Sequence, residues 1–68
     1  MELVTVAKYP CSGGGCPTIF AAEDDMVVVQ GYAVSPAEAG IDLPDGELLV
    51  RVPRSLVHEG ASALQMRH

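Results

Sequence analysis

The chain reads as a mostly β domain with a minor α part (α+β). The expected architecture is a small antiparallel sheet of three to four strands, with short helical turns and a C-terminal helix. Three observations predict this. Runs rich in β-branched and aromatic residues recur at LVTVAK, TIFAA, MVVVQGYAV and ELLVRV. Glycine and proline punctuate them at CSGGGCP, SPAEAG and LPDG. The tail ASALQMRH has the composition of a helix. At 68 residues the chain forms one domain, residues 1–68.

Each element has a local cause. Leu3 to Lys8 alternates weakly and carries two valines and a threonine, which suits a strand. Thr18 to Ala22 and Met26 to Val34 are joined by Glu23-Asp24-Asp25, a polar connector of hairpin length. Both faces of Met26 to Val34 are apolar, so the run is expected as a central strand covered on both sides. Gly31 inside it predicts a bulge or a close neighbour. Ser35-Pro36-Ala37-Glu38 is a capping box with proline at the first helical position, stopped by Gly40. Leu43-Pro44-Asp45-Gly46 fits a type I turn. Glu47 to Val52 is the last strand, ended by Pro53. A helical turn over Arg54 to Glu59 points Leu56 and Val57 inward. Gly60 then interrupts, and a helix follows with Val57, Ala61 and Leu64 at helical spacing.

Composition narrows the function. Hydrophobic residues make up 49% of a chain that is short for burying a sizeable core. Domains of this size usually gain a disulfide, a metal or a second subunit. A homodimer is the expected form, since apolar surface beyond the chain's own core needs a cover. The formal net charge is −5, and Lys8, Arg51, Arg54 and Arg67 are dispersed. Counterion release needs clustered cations, so direct nucleic-acid binding is not expected. No run approaches the ~20 apolar residues that span a bilayer, and MELVTVAKYP lacks the apolar stretch of a signal peptide. The expected location is the cytoplasm, with no membrane partner.

CSGGGCP carries the chemistry to be weighed. Cys11 and Cys16 have four residues between them, the wide end of a zinc-knuckle spacing. Two cysteines are half a structural zinc site, and His58 and His68 have nine residues between them, too many for a finger. A four-cysteine zinc site across a dimer is geometrically open. A disulfide across the glycines is a second reading, because so short and supple a loop can bring the α-carbons within the roughly 4.4–6.8 Å a bridge requires. Cysteines in a reducing compartment are more often thiols or metal ligands than a lasting bridge. A redox switch needs a depressed thiol pKa, and no cation adjoins either cysteine in sequence. The blandest reading makes both cysteines small buried hydrophobes at the ends of a loop. A phosphate cradle is not written here, since Cys-Pro-Thr and not Lys follows the glycines.

The other polar residues point away from catalysis. His58 reads as a surface or capping residue and His68 as a chain end. Glu23, Asp24 and Asp25 lack the ligand number of a calcium loop. Ser12 and Ser55 have no evident base partner. No paired acid and base is present, so the chain is expected to be a non-enzyme with no resident cofactor, zinc being the alternative. The candidate contact residues are Val27 and Val29 on one apolar face and Tyr32 on the other.

CPTIF, VVVQGYAV and LPDGELLVRVPRSLV together resemble a group of short uncharacterised actinobacterial proteins. Their plan is CP-T-[IVFY], then VVQGY, then L-P-x-G-E and V-x-[VI]-P. The resemblance spans Cys11 to about Val57. SGGGC followed by a valine-rich strand is similar, more loosely, to BldB-like developmental proteins. The first group is often encoded beside helix-turn-helix regulators. The resemblance thus implies a regulatory accessory role through protein contacts, with such a regulator as a partner. It carries over no catalytic residue. The alternatives that stay open are a small zinc protein built on Cys11 and Cys16 and a thiol redox sensor.

Overall fold

Two antiparallel sheets and a C-terminal helix make the fold. The computed structural model describes residues 1–12 and 15–66. His68, weighed above as a chain end, and Arg67 lie outside the described residues. The first sheet holds β1 (Val4–Lys8), β2 (Thr18–Ala21) and β3 (Val27–Gln30), in that spatial order. The second holds β4 (Tyr32–Val34) and β5 (Leu49–Arg51). Helix α1 spans Pro36–Ala39 and helix α2 spans Arg54–Gln65.

The expected small antiparallel α+β domain is what the chain forms, but the long apolar run is divided. Met26 to Val34 is expected as one strand; the chain leaves the first sheet after Gln30 and enters the second at Tyr32. Gly31 is the reason. A Cβ there would lie 2.7 Å from the Arg51 carbonyl oxygen and 2.7 Å from a Val52 methyl. The predicted close neighbour is therefore the backbone of β5. The central strand is β2, not β3. β3 lies at the sheet edge and is not covered on both sides: Val27 is 45% and Val29 38% exposed.

The core sits between the first sheet and α2. Leu56 is 1% exposed and packs with Ala7 and Ile19, with Val6 and Val52 at the margin. The helix runs unbroken through Gly60, where an interruption is expected. A Cβ at Gly60 would stand 2.6 Å from Ile19 Cδ1, so the glycine lets the helix backbone approach the sheet. The buried face of α2 is Leu56, as expected, and Gly60, whereas Val57 and Ala61, also expected inward, are exposed. Val57 is 54% exposed.

The connections follow side-chain chemistry. The β2–β3 hairpin turns at Asp24 and Asp25, both with positive φ (62° and 58°), the backbone signature of a primed hairpin turn. At α1 the capping box forms as the sequence predicts. Glu38 N–H donates to Ser35 Oγ at 3.1 Å, and Ser35 N–H donates to Glu38 Oε1 at 3.2 Å. Gly40 closes the helix with φ 69°. The LPDG turn is shifted by one residue from its expected register. Glu47 N–H donates to Pro44 O at 3.2 Å, which puts Gly46, with φ 89°, at the third position. Positive φ there belongs to a type II turn, not type I. β5 is also shorter than the expected Glu47 to Val52, and Leu48 before it is 91% exposed.

Candidate functional site

The glycine-rich segment closes the β1–β2 hairpin. Tyr9 N–H donates to Pro17 O at 2.9 Å, extending the ladder one pair beyond the strands. Pro17 is fully buried, and Thr18, 3% exposed, donates its hydroxyl to Cys16 O at 2.7 Å. Cys11 and Cys16 sit just beyond this anchor and are joined in a disulfide with α-carbons 5.9 Å apart. Of the readings open above, the structure takes the disulfide. Thiols or zinc ligands are the expectation for a reducing compartment; the loop geometry makes the bridge attainable. A bridged sulfur is not a thiolate and offers no zinc ligand in this form. Among the described residues no group of three or more His, Cys, Asp or Glu side chains converges. Cys16 is buried at 4% and Cys11 is exposed.

The three candidate contact residues fall in two sheets. Tyr32, 51% exposed, is the first residue of β4 and pairs across the strands with Arg51. The Arg51 guanidinium carbon lies 5.9 Å from the Tyr32 ring centroid, a cation–π contact worth about 0.5–1 kcal/mol at an exposed site. Val27 and Val29 lie on β3, opposite Ala21 and Ile19, and therefore share the sheet face that α2 covers. The helix packs over β1 and β2 and leaves this margin open, so Val27 is 45% and Val29 38% exposed.

The backbone of β3 is the feature the side-chain pattern did not reveal. Ala22 N–H donates to Met26 O at 2.9 Å. Mutually bonded pairs alternate along an antiparallel ladder. Counting from Ala22 and Met26, the next bonded pairs are Phe20 with Val28 and Thr18 with Gln30. The Tyr9–Pro17 bond gives the opposite residues of β2 to β1, which agrees. The N–H and C=O groups of Val27 and Val29 thus point away from β2, along a terminal edge. A shallow cavity of ≈ 400 Å³ adjoins the same strand, lined by Met1, Ala22, Glu23, Asp24, Met26, Val27 and Val28. Glu2 N–H donates to Glu23 Oε1 at 3.1 Å, which holds the N-terminus over the hairpin. The signal for an open edge was present in MVVVQ, which has neither charge nor proline to blunt it.

This arrangement defines a small α+β domain with a stapled hairpin loop and an open apolar edge. Comparison with protein-family models, curated proteins and solved structures gives no match. Among the described residues no helix is long and apolar enough to cross a membrane.

Proposed function

We propose that the chain is a non-enzymatic interaction module that works in the cytoplasm through protein–protein contacts, as a homodimer with a regulatory or accessory role. The resemblance noted above suggests a helix-turn-helix regulator as the further partner.

One observation carries the reading. The chain exposes 5409 Å². A folded monomer of 7.1 kDa is expected to expose about 4,100 Å² by the mass scaling of soluble proteins. The excess is about 1,300 Å², more than the ~800 Å² each partner loses in a standard interface. The radius of gyration agrees: 13.1 Å, against about 11 Å for a compact domain of 68 residues. A chain that leaves this much surface uncovered gains stability from a neighbour. Sedimentation equilibrium at micromolar concentration tests the reading. Twice the chain mass supports it, and a 7.1 kDa species throughout ends it.

The bridge favours one second reading, a thiol redox sensor, because it closes an exposed loop in a chain expected in a reducing compartment. Equilibration with glutathione buffers tests it. A bridge that stays oxidised at cytosolic poise leaves no room for sensing.

A further inference from the structure

We infer that β3 is the dimer seam: its free edge pairs antiparallel with β3 of a second copy, centred on Val28, to make one continuous six-stranded sheet. This rests on the homodimer reading above and names its surface and register.

The two edges of the first sheet differ. β1 carries the devices that discourage strand addition. Its register slips between Thr5 and Ala7, which makes Val6 a bulge, and it ends in Lys8. β3 pairs in unbroken register through Val27, Val28, Val29 and Gln30, with no charge and no proline. Its outward backbone groups belong to Val27 and Val29, placed symmetrically about Val28. A twofold axis at Val28 sets Val27 opposite Val29 of the second copy and Val29 opposite its Val27. Every outward N–H and C=O of these residues then has a partner, with four bonds across the seam. The half-exposed valine side chains meet as cross-strand pairs on one face.

Charge selects the antiparallel arrangement. Each hairpin tip carries Glu23, Asp24 and Asp25. Parallel pairing would stack the two tips side by side. Antiparallel pairing about Val28 separates the two copies of Asp25 by six residues, about 20 Å, or roughly two Debye lengths. It also carries each acidic tip toward the Gly31 end of the other strand, where Arg51 lies against Tyr32. Tyr32 therefore belongs to the rim of the same surface.

Two variants of the full chain test the seam. In the inferred register the two Val28 residues form a non-bonded pair with α-carbons about 4.5 Å apart, within disulfide reach. With diamide as the two-electron acceptor, Val28→Cys is expected to give a covalent dimer joined by a disulfide through position 28 of both copies, identified by peptide mapping. Val27→Cys, offset by two residues, is expected to cross-link at least about tenfold more slowly. Val29→Pro removes one outward N–H and no bond inside the chain, so it is expected to yield a folded monomer by circular dichroism and sedimentation. Should that variant fail to fold, the cross-linking comparison decides alone. A wild-type dimer whose Val28→Cys variant gives no cross-link through position 28 overturns the seam and leaves the dimer reading standing. A wild-type monomer, or one that takes up a strand from a different protein, overturns the second copy as occupant.

Discussion

Replacing Gly31 with alanine tests the point on which the division into two sheets depends. The added Cβ would meet the Arg51 carbonyl oxygen and a Val52 methyl, each at 2.7 Å, and Val50 Cβ at 3.2 Å. Ordinary contact begins near 3.4 Å, so the β5 backbone must retreat by more than half an ångström. It cannot do so alone, since Arg51 is paired with Tyr32, the next residue in the chain. Overpacking of this kind costs about 1–3 kcal/mol. Lower entropy of the unfolded chain returns up to about 1 kcal/mol, leaving a net loss near 1–2 kcal/mol. A chain of 68 residues has a total stability of about 3–10 kcal/mol, so the loss is a large fraction of it. With a urea slope near 1 kcal/mol/M for so small a domain, the unfolding midpoint should fall by about 1–2 M. Circular dichroism at one fixed protein concentration measures it. An unchanged midpoint would refute the close approach and with it the reason given for the break between β3 and β4.

Four further outcomes are expected. Gly60→Ala gains about 1 kcal/mol of helix propensity but drives a methyl to 2.6 Å from Ile19 Cδ1; adding Ile19→Val, which removes that atom, should give a favourable coupling of about 1 kcal/mol in a double-mutant cycle. Asp25→Gly relieves a left-handed backbone and should raise stability by about 1 kcal/mol, read as a higher melting temperature. Reducing the Cys11–Cys16 bridge frees a short loop and should cost about 2 kcal/mol by the chain-entropy estimate, checked by urea unfolding with and without reductant. A homodimer that unfolds to separate chains should gain about 1.4 kcal/mol for each tenfold rise in protein concentration; a midpoint independent of concentration contradicts coupled folding and association.

Local chemistry made most elements legible. The capping box of Ser35 and Glu38, the Gly40 stop and the acidic hairpin tip act within four residues, so the sequence contains the whole cause. What escaped depends on contacts distant in sequence. Gly60 reads as a helix breaker until Ile19, far along the chain, is seen to fill the space above it. Met26 to Val34 reads as one buried strand because both faces are apolar. That pattern cannot tell a covered strand from an uncovered one. The LPDG turn lies one residue from its expected register because proline and glycine suit more than one turn type, and the position of the positive φ decides between them. At the candidate site, Val27, Val29 and Tyr32 were marked by their side chains. The outward backbone groups of β3 follow from strand order and register, which no side-chain period encodes.

The cysteine loop and the edge strand β3 meet through Thr18 and Gln30. Gln30 pairs with Thr18, whose hydroxyl donates to the Cys16 carbonyl. The bridge therefore braces the end of the strand whose outer edge is free. An edge strand forms an intermolecular ladder well when it is already held in its extended shape, because less conformational entropy is lost on pairing. At one end of β3 the brace is the Cys11–Cys16 loop. At the other it is the two-aspartate turn, with Glu23 holding the N-terminus. The Thr18 hydroxyl bond to the Cys16 carbonyl and the Thr18–Gln30 pairing tie the bridged loop to that end of the sheet.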